Sequence, residues 1–302
     1  MSNRPPNVLL HPADGSDPLH LSSDGEGRIT LKQGIEGLGV APVENNIVAR
    51  PVGHGSLVKS THLKDREVFL PLQLWGKTQD DVLKLWDRIV KVVSPLRGGA
   101  VLEVFRDGDE PRYLDVLYKS GLEGNFGETY RKTWFNVGLT LSAPSAFWYA
   151  REVALSWQTK HEGKIFISGG AQKNTHKFFP IILAPSAVAE VRDIIVDSDA
   201  EVQPIWNITG PVKDVMIENV STGAKFRILG TLNPGETITV DTRTLDIYDA
   251  THHNGELHDR VSDESVFFTL PAGRSQVKVT GTGMTDKSSI RLQYRPLFLK
   301  GL

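Results

Sequence analysis

The sequence predicts a mainly β protein with one helix, split into an α+β first domain and a second domain that is a β-sandwich or jelly roll. Three observations carry this. The 302 residues exceed the usual size of one domain. One segment alone, KTQDDVLKLWDRIVKVVSP, repeats its apolar residues at helical spacing. From about residue 152 onward, short apolar runs alternate with turn residues, and no helical period appears. The domain bounds follow as 1–150 and 151–302.

Residues 1–66 are rich in Gly, Pro and Asn. GRITLKQGIEGLG reads as strand and turn, and APVENNIVARPVGHGSLVKS as loop with a short strand. Long loops of this kind are commonly functional or pair with a partner. REVFLPLQLWG puts Val68, Leu70, Leu72 and Leu74 on one face, while Pro71 argues for an edge or a bulge. In the helix, Val82, Leu85, Trp86, Ile89 and Val93 form the apolar stripe, with Asp87 and Lys91 on the other side. Thr78 is the expected N-cap, Asp80 and Asp81 suit the positive end of the helix dipole, and Pro95 with Gly98-Gly99 ends the helix. AVLEVFRDGDEPRYLDVLYKSG is a hairpin turning at Asp107-Gly108, and TWFNVGLTLSA is a further strand. In the second half, strands are expected in EVALSWQ, KIFISG, FFPIILAP, PIWNITGP, VMIENVST, AKFRILG, ETITVDTR, DESVFFTLP, SQVKVTGTG and SIRLQYRP.

Composition narrows the function. The formal net charge of -2, with no long basic run, disfavours a protein that binds nucleic acid by neutralising phosphates. No apolar run is long enough for a transmembrane helix. The opening MSNRPPNVLLHPADG lacks the features of a signal peptide, which suggests synthesis and retention in a cytoplasm. With no cysteine, thiolate metal sites, disulfides and cysteine nucleophiles are excluded.

Candidate sites are few. His252, His253, His258 and Asp259 hold metal-ligating groups, but adjacent histidines on extended chain diverge, and Asn254-Gly255 marks a solvated loop. Glu103, Asp107, Asp109, Glu110 and Asp115 could be drawn as a glycosidase pair, yet they cluster around a turn, where acids are expected. NIT at 207–209 and NVS at 219–221 are chance matches to the glycosylation pattern. Trp157, Trp206, Phe267, Phe268 and Tyr294 could stack on a sugar, but aromatics of a sandwich more often fill its core. No hydrolase, metalloprotease or phosphate-loop motif is present. The sequence therefore assigns no catalytic residue, no cofactor and no metal.

GLTLSAPSAFWYA raises a separate question. Three consecutive rings cannot all enter one core from one strand. Continued alternation places Phe147 and Tyr149 with Leu139 and Leu141 in the first core. It leaves Trp148 to pack across the domain junction or on a neighbouring subunit; the alternative is that all three rings are core at a bend.

Several stretches, in order, resemble the distal tail proteins of long-tailed, non-contractile bacteriophages, often called minor tail proteins. They are REVFLPLQLWG through LYKSGLEG, WFNVGLTLSAPSAFWYA, IWNITGPVKDVMIENVSTGAKFRI, LNPGETITVDTRT, LPAGRSQVKVTGTG and IRLQYRPLFL. The resemblance implies a ring-forming N-terminal belt domain followed by a galectin-like β-sandwich. It implies a structural virion protein rather than an enzyme: a ring, usually of six copies, joining the tail tube to the tail tip and supporting the host-attachment apparatus. The implied partners are further copies, the tail tube protein and the tail-tip hub, with a host-surface glycan or receptor-binding protein beyond them. The implied location is the virion tail tip after assembly in the host bacterial cytoplasm. Trp148, Arg106, Asp107, Asp109, Glu110 and Arg112 are the expected interface residues. A carbohydrate-binding protein acting through the sandwich is the alternative, and a glycoside hydrolase a weaker one.

Overall fold

The computed structural model describes residues 6–21, 28–124, 131–158, 188–250 and 257–302. The chain forms two compact units, Met1–Arg151 together with Leu297–Leu302, and Glu152–Pro296. The bounds read from sequence left residues 297–302 with the second domain. In the structure they pack on the first, for reasons given below.

The first unit is built on a curled antiparallel sheet. Its order is Leu19–His20, Asn7–Pro12, Ala100–Phe105, Arg112–Ser120, Trp134–Ala143, Arg66–Trp75 and Ile29–Leu31. The short strands Trp148–Tyr149 and Leu297–Phe298 pair with each other and join the sheet at Tyr113. Leu70, Leu72, Leu139, Leu141, Leu102 and Leu114 point to one face and are buried.

The helix Gln79–Val92 covers that face with Val82, Leu85, Ile89 and Val92. Its start is fixed by a reciprocal capping box between Thr78 and Asp81. The hydrogen bonds from Thr78 hold the Asp81 carboxyl below its ordinary range. Trp86 is half-buried against the rim of the core. At about 100° per residue, it lies on the flank of the stripe centred on Ile89.

Pro71 sits in an interior strand, against the sequence expectation of an edge or a bulge. The cause is local. Phe69 exchanges both backbone hydrogen bonds with Glu36, and the Pro71 carbonyl accepts from the Lys32 amide. The Pro71 nitrogen faces the same side, where the neighbouring strand is interrupted between Lys32 and Glu36. No ladder donor is needed there.

Arg66, 1% exposed, ties the unit together. It donates to the carbonyls of Gly37 (3.2 Å), Gly39 (2.7 Å), Ala146 and Leu299 (3.2 Å), and its guanidinium lies 5.6 Å from the centre of the Trp148 ring. Burial lowers its pKa from the ordinary arginine value, which still leaves it charged at neutral pH. Gly37 has φ +85°, and a Cβ there would fall 1.9 Å from the Glu67 carbonyl oxygen. Glycine is what lets this loop close on the strand beside Arg66.

Trp148 is 0% exposed and belongs to the first core, which corrects the junction reading. The bend at Pro144–Phe147, where Ser145 bonds Phe147 in both directions, resets the alternation. Trp148 therefore turns inward, while Phe147 and Tyr149 are half-buried. The returning tail closes over it: Trp148 pairs with Phe298, and a Cβ on Gly301 would lie 2.9 Å from the indole.

The second unit is a β-sandwich. One sheet runs Val153–Trp157, Ser289–Tyr294, Ile205–Thr209, Thr237–Asp241, Asp246–Asp249. The other runs Val188–Val196, Gly273–Thr282, Val212–Asn219, Lys225–Leu232. Trp206 of the first meets Phe226 of the second edge-on at 6.1 Å, and Trp157 and Phe268 pack on Trp206 at 5.7 and 6.4 Å. DESVFFTLP is not a strand. It touches the Lys225–Leu232 edge through Val266 and bridges Val202 through Leu270, sending Phe268 inward. Val188–Val196 and Asp246–Asp249 are strands that the sequence reading did not single out. KIFISG and FFPIILAP lie outside the described residues.

Two outcomes test these contacts by thermal and denaturant unfolding. Arg66→Ala should destabilise the first unit by about 3 kcal/mol, because carbonyls of three segments lose the buried donor they share and the long side chain leaves a void. Trp86→Ala should cost about 1–3 kcal/mol, below the range for a fully buried tryptophan, because its ring is already half in water.

Candidate assembly surfaces

The most unusual local feature is the hairpin Val43–Ala49 and Ser56–Leu63. Its strands form a two-stranded sheet of their own, and neither has a buried residue. The half near its base is polar, with Thr61 donating to Asn45 and Lys64 paired with Glu44. The half near its tip is apolar on both faces. A bulge between Asn46 and Ile47 sets Ile47 opposite Val58 and Val48 opposite Leu57, and all four are exposed. Val52 in the turn is 88% exposed. A two-stranded ribbon is at best marginally stable in water, and exposed apolar clusters mark contact sites. The sequence reading placed loop and short strand here. The alternation in NNIVA and SLVKS, flanking Pro51 and two glycines, was the signal for a hairpin.

The turn proposed from sequence as an interface divides. Arg106, Asp107, Asp109 and Glu110 are exposed. Asp107 accepts from Asn7 at 2.9 Å. Arg112 faces its own chain: its guanidinium lies 3.7 Å from the centre of the Phe298 ring and donates to the Lys300 carbonyl at 2.7 Å. Arg112 thus clamps the returning tail, and Trp148, being enclosed, offers no surface to a neighbour.

The remaining carboxylates of the hypothetical hydrolase pair have structural partners. Glu103 is bonded to His11, and Asp115 accepts from the Tyr149 hydroxyl at 2.8 Å. Tyr149 in turn stacks on Tyr113 at 5.8 Å. Of the sugar-platform candidates, Trp157, Trp206, Phe268 and Tyr294 are buried and Phe267 is half-buried. Asn207 is held by Gln293 and Thr239, and Asn219 is fully buried. His252 and His253 lie outside the described residues. His258 and Asp259 open a short 3-10 turn, and no group of metal-ligating side chains converges among the described residues.

At the far end of the strand Arg66–Trp75 from the hairpin, Trp75 stands directly opposite Trp134, with ring centres 6.5 Å apart. Trp75 is 42% exposed. Adjacent Leu74 and Phe135 point to the core, so alternation turns both tryptophans outward.

Residues 197–298, about a third of the chain, match the family described as siphovirus-type tail component, C-terminal domain, of the SPP1 Dit type. That segment is similar to the C-terminal domain of Dit. The whole chain is Dit-like in fold. The crystal structure of phage SPP1 Dit, described as a paradigm of the hub adsorption apparatus in phages infecting Gram-positive hosts, aligns with TM-score 0.63 and 11% identity. That alignment covers 96% of this chain and 99% of SPP1 Dit. Chains of the phage p2 baseplate, in its activated conformation with strontium and with calcium, align with TM-score 0.53 and 13% identity, covering 96% of this chain and 98% of theirs. At these identities the likeness is one of fold. No curated protein sequence matches the chain.

The Arg112 clamp gives a direct outcome. Arg112→Ala should raise amide exchange in residues 297–302 and around Trp148, whereas Asp109→Ala should leave stability within about 0.5 kcal/mol.

Proposed function

We propose that this Dit-like chain is a structural protein of the distal end of a long, non-contractile phage tail. It closes into a ring, most simply a hexamer, that joins the tail tube to the tail tip and supports the host-attachment apparatus. The observation that carries this reading is the Dit C-terminal domain match at residues 197–298, on a chain whose fold follows Dit along nearly its full length.

The geometry supports the same role. Ring closure needs a heterologous contact, one surface of a subunit meeting a different surface of the next. The hairpin Val43–Leu63 supplies an apolar arm unmatched within its own unit, and the first unit is therefore the ring-forming one. Asp109, Glu110 and Arg106, exposed on their turn, would steer register rather than supply affinity. Partners beyond the ring are the tail tube protein on one side and tip proteins on the other. The role we propose is a structural one: Glu103, Asp107 and Asp115 are used in hydrogen bonds within the first unit, and Asp109 and Glu110 stand on an exposed turn. The burial of the sandwich aromatics removes the stacking platform that favoured a sugar-binding reading.

Mass photometry of the purified chain, with negative-stain imaging, tests this. The expected result is a closed annulus whose mass is an integral multiple of the 33.3 kDa subunit, most simply six. A chain that stays monomeric at high micromolar concentration, both alone and mixed with tail tube protein, would overturn the ring.

A further inference from the structure

We infer that the outward face beside Trp75 and Trp134 is the receptor for the hairpin tip of a second copy of this chain. The inference rests on the ring reading and adds where the contact is made.

Two independent observations point to a ligand at this face. The first is Trp75 itself, exposed beside the half-buried Trp134 and held in place by backbone bonds from Trp75 to Arg28 (2.6 Å) and from Gly76 to Thr133 (2.9 Å). Tryptophans in such positions are the commonest anchors of protein contacts. The second lies two residues along the same strands. Lys32, Pro71, Gln73, Asn136 and Gly138 line a groove of about 420 Å³. It lies where the neighbouring strand is interrupted between Lys32 and Glu36. Gln73 is only 8% exposed, yet its Oε1 has no hydrogen-bond partner. A buried amide oxygen left unpaired costs free energy that an incoming N–H or O–H would recover.

The occupant must therefore bring apolar surface for the tryptophans and a donor for Gln73. The hairpin tip offers both. Ile47, Val48, Val52, Leu57 and Val58 are exposed, and the turn Arg50–Gly55 carries backbone amides and the Arg50 and His54 side chains. The tip does not satisfy the groove of its own subunit. The hairpin leaves the sheet at the Arg66 end, where the Lys64 amide bonds the Pro42 carbonyl, and every residue of its strands except Ser60 and Leu63 is exposed. Strands of this length extend ~25 Å, enough to cross to an adjacent subunit. A tip at one end of a strand and a receptor at the other make a head-to-tail pair, the geometry that closes a ring.

The absence of cysteine makes the test clean. In the full chain, Val52→Cys is combined with Asn136→Cys and treated with a short bis-maleimide. The expected result is a covalent ladder on a denaturing gel, running from dimer upward to the ring number. Each single variant should give no ladder beyond dimer. Trp75→Ser should raise the concentration of half-assembly about 30-fold or more while leaving the far-UV spectrum unchanged. A wild-type ring whose double-cysteine variant yields no ladder would overturn the receptor assignment and leave the ring standing. The same holds if Trp75→Ser folds and assembles at the wild-type concentration. A wild-type chain that never forms a ring would fail the ring reading itself, and this inference with it. If Trp75→Ser fails to fold, the crosslinking ladder decides alone.

Discussion

The first unit depends on one buried charge. A buried guanidinium is costly unless it is hydrogen-bonded, and here the two terminal nitrogens of Arg66 are shared among the carbonyls of Gly37, Gly39, Ala146 and Leu299. Those atoms belong to the loop before the hairpin, the bend after Leu141 and the last residues of the chain. The same side chain therefore sets where the hairpin departs, where Trp148 turns inward and where the tail returns. A lysine would not substitute, since a point charge on a flexible stem cannot reach several carbonyls from one planar fork.

From that node the functional geometry follows. The tail residues Phe298 and Gly301 close over Trp148, and Arg112 locks them from outside. The first unit is thus completed by a segment that follows the whole second unit in sequence. With its core sealed in this way, the unit presents its apolar hairpin and its tryptophan pair from opposite ends of one strand. The second unit closes on its own aromatic cluster, with Trp206 central.

Much of this was legible in the sequence. The helix was read correctly from Thr78 to its stop because capping, dipole and period agree there. The strands from Arg66 to Ala143 were equally clear, since each alternates against a single core, whereas Asn7–Pro12 and Leu19–His20 were not read. The failures have physical causes. Trp148 was misplaced because alternation was carried through Pro144, where a bend resets it. Pro71 was assigned to an edge or a bulge because the gap opposite it is a property of another strand. The role of residues 297–302 was invisible, since pairing across that sequence separation leaves no local pattern. Arg112 was expected at an interface because its partners Phe298 and Lys300 lie far from it in sequence. The hairpin was half-hidden because its apolar residues obey no inside–outside rule, which is itself the mark of a surface meant to be covered.

The central claim is that the first unit assembles through this hairpin. Native mass spectrometry of the chain with residues 44–62 replaced by a short glycine-containing turn tests it most directly, alongside the intact chain and with melting of both units monitored. The account expects the intact chain to give a closed oligomer and the shortened chain a folded monomer with both units' transitions retained. A shortened chain that still closes into the same oligomer would contradict it.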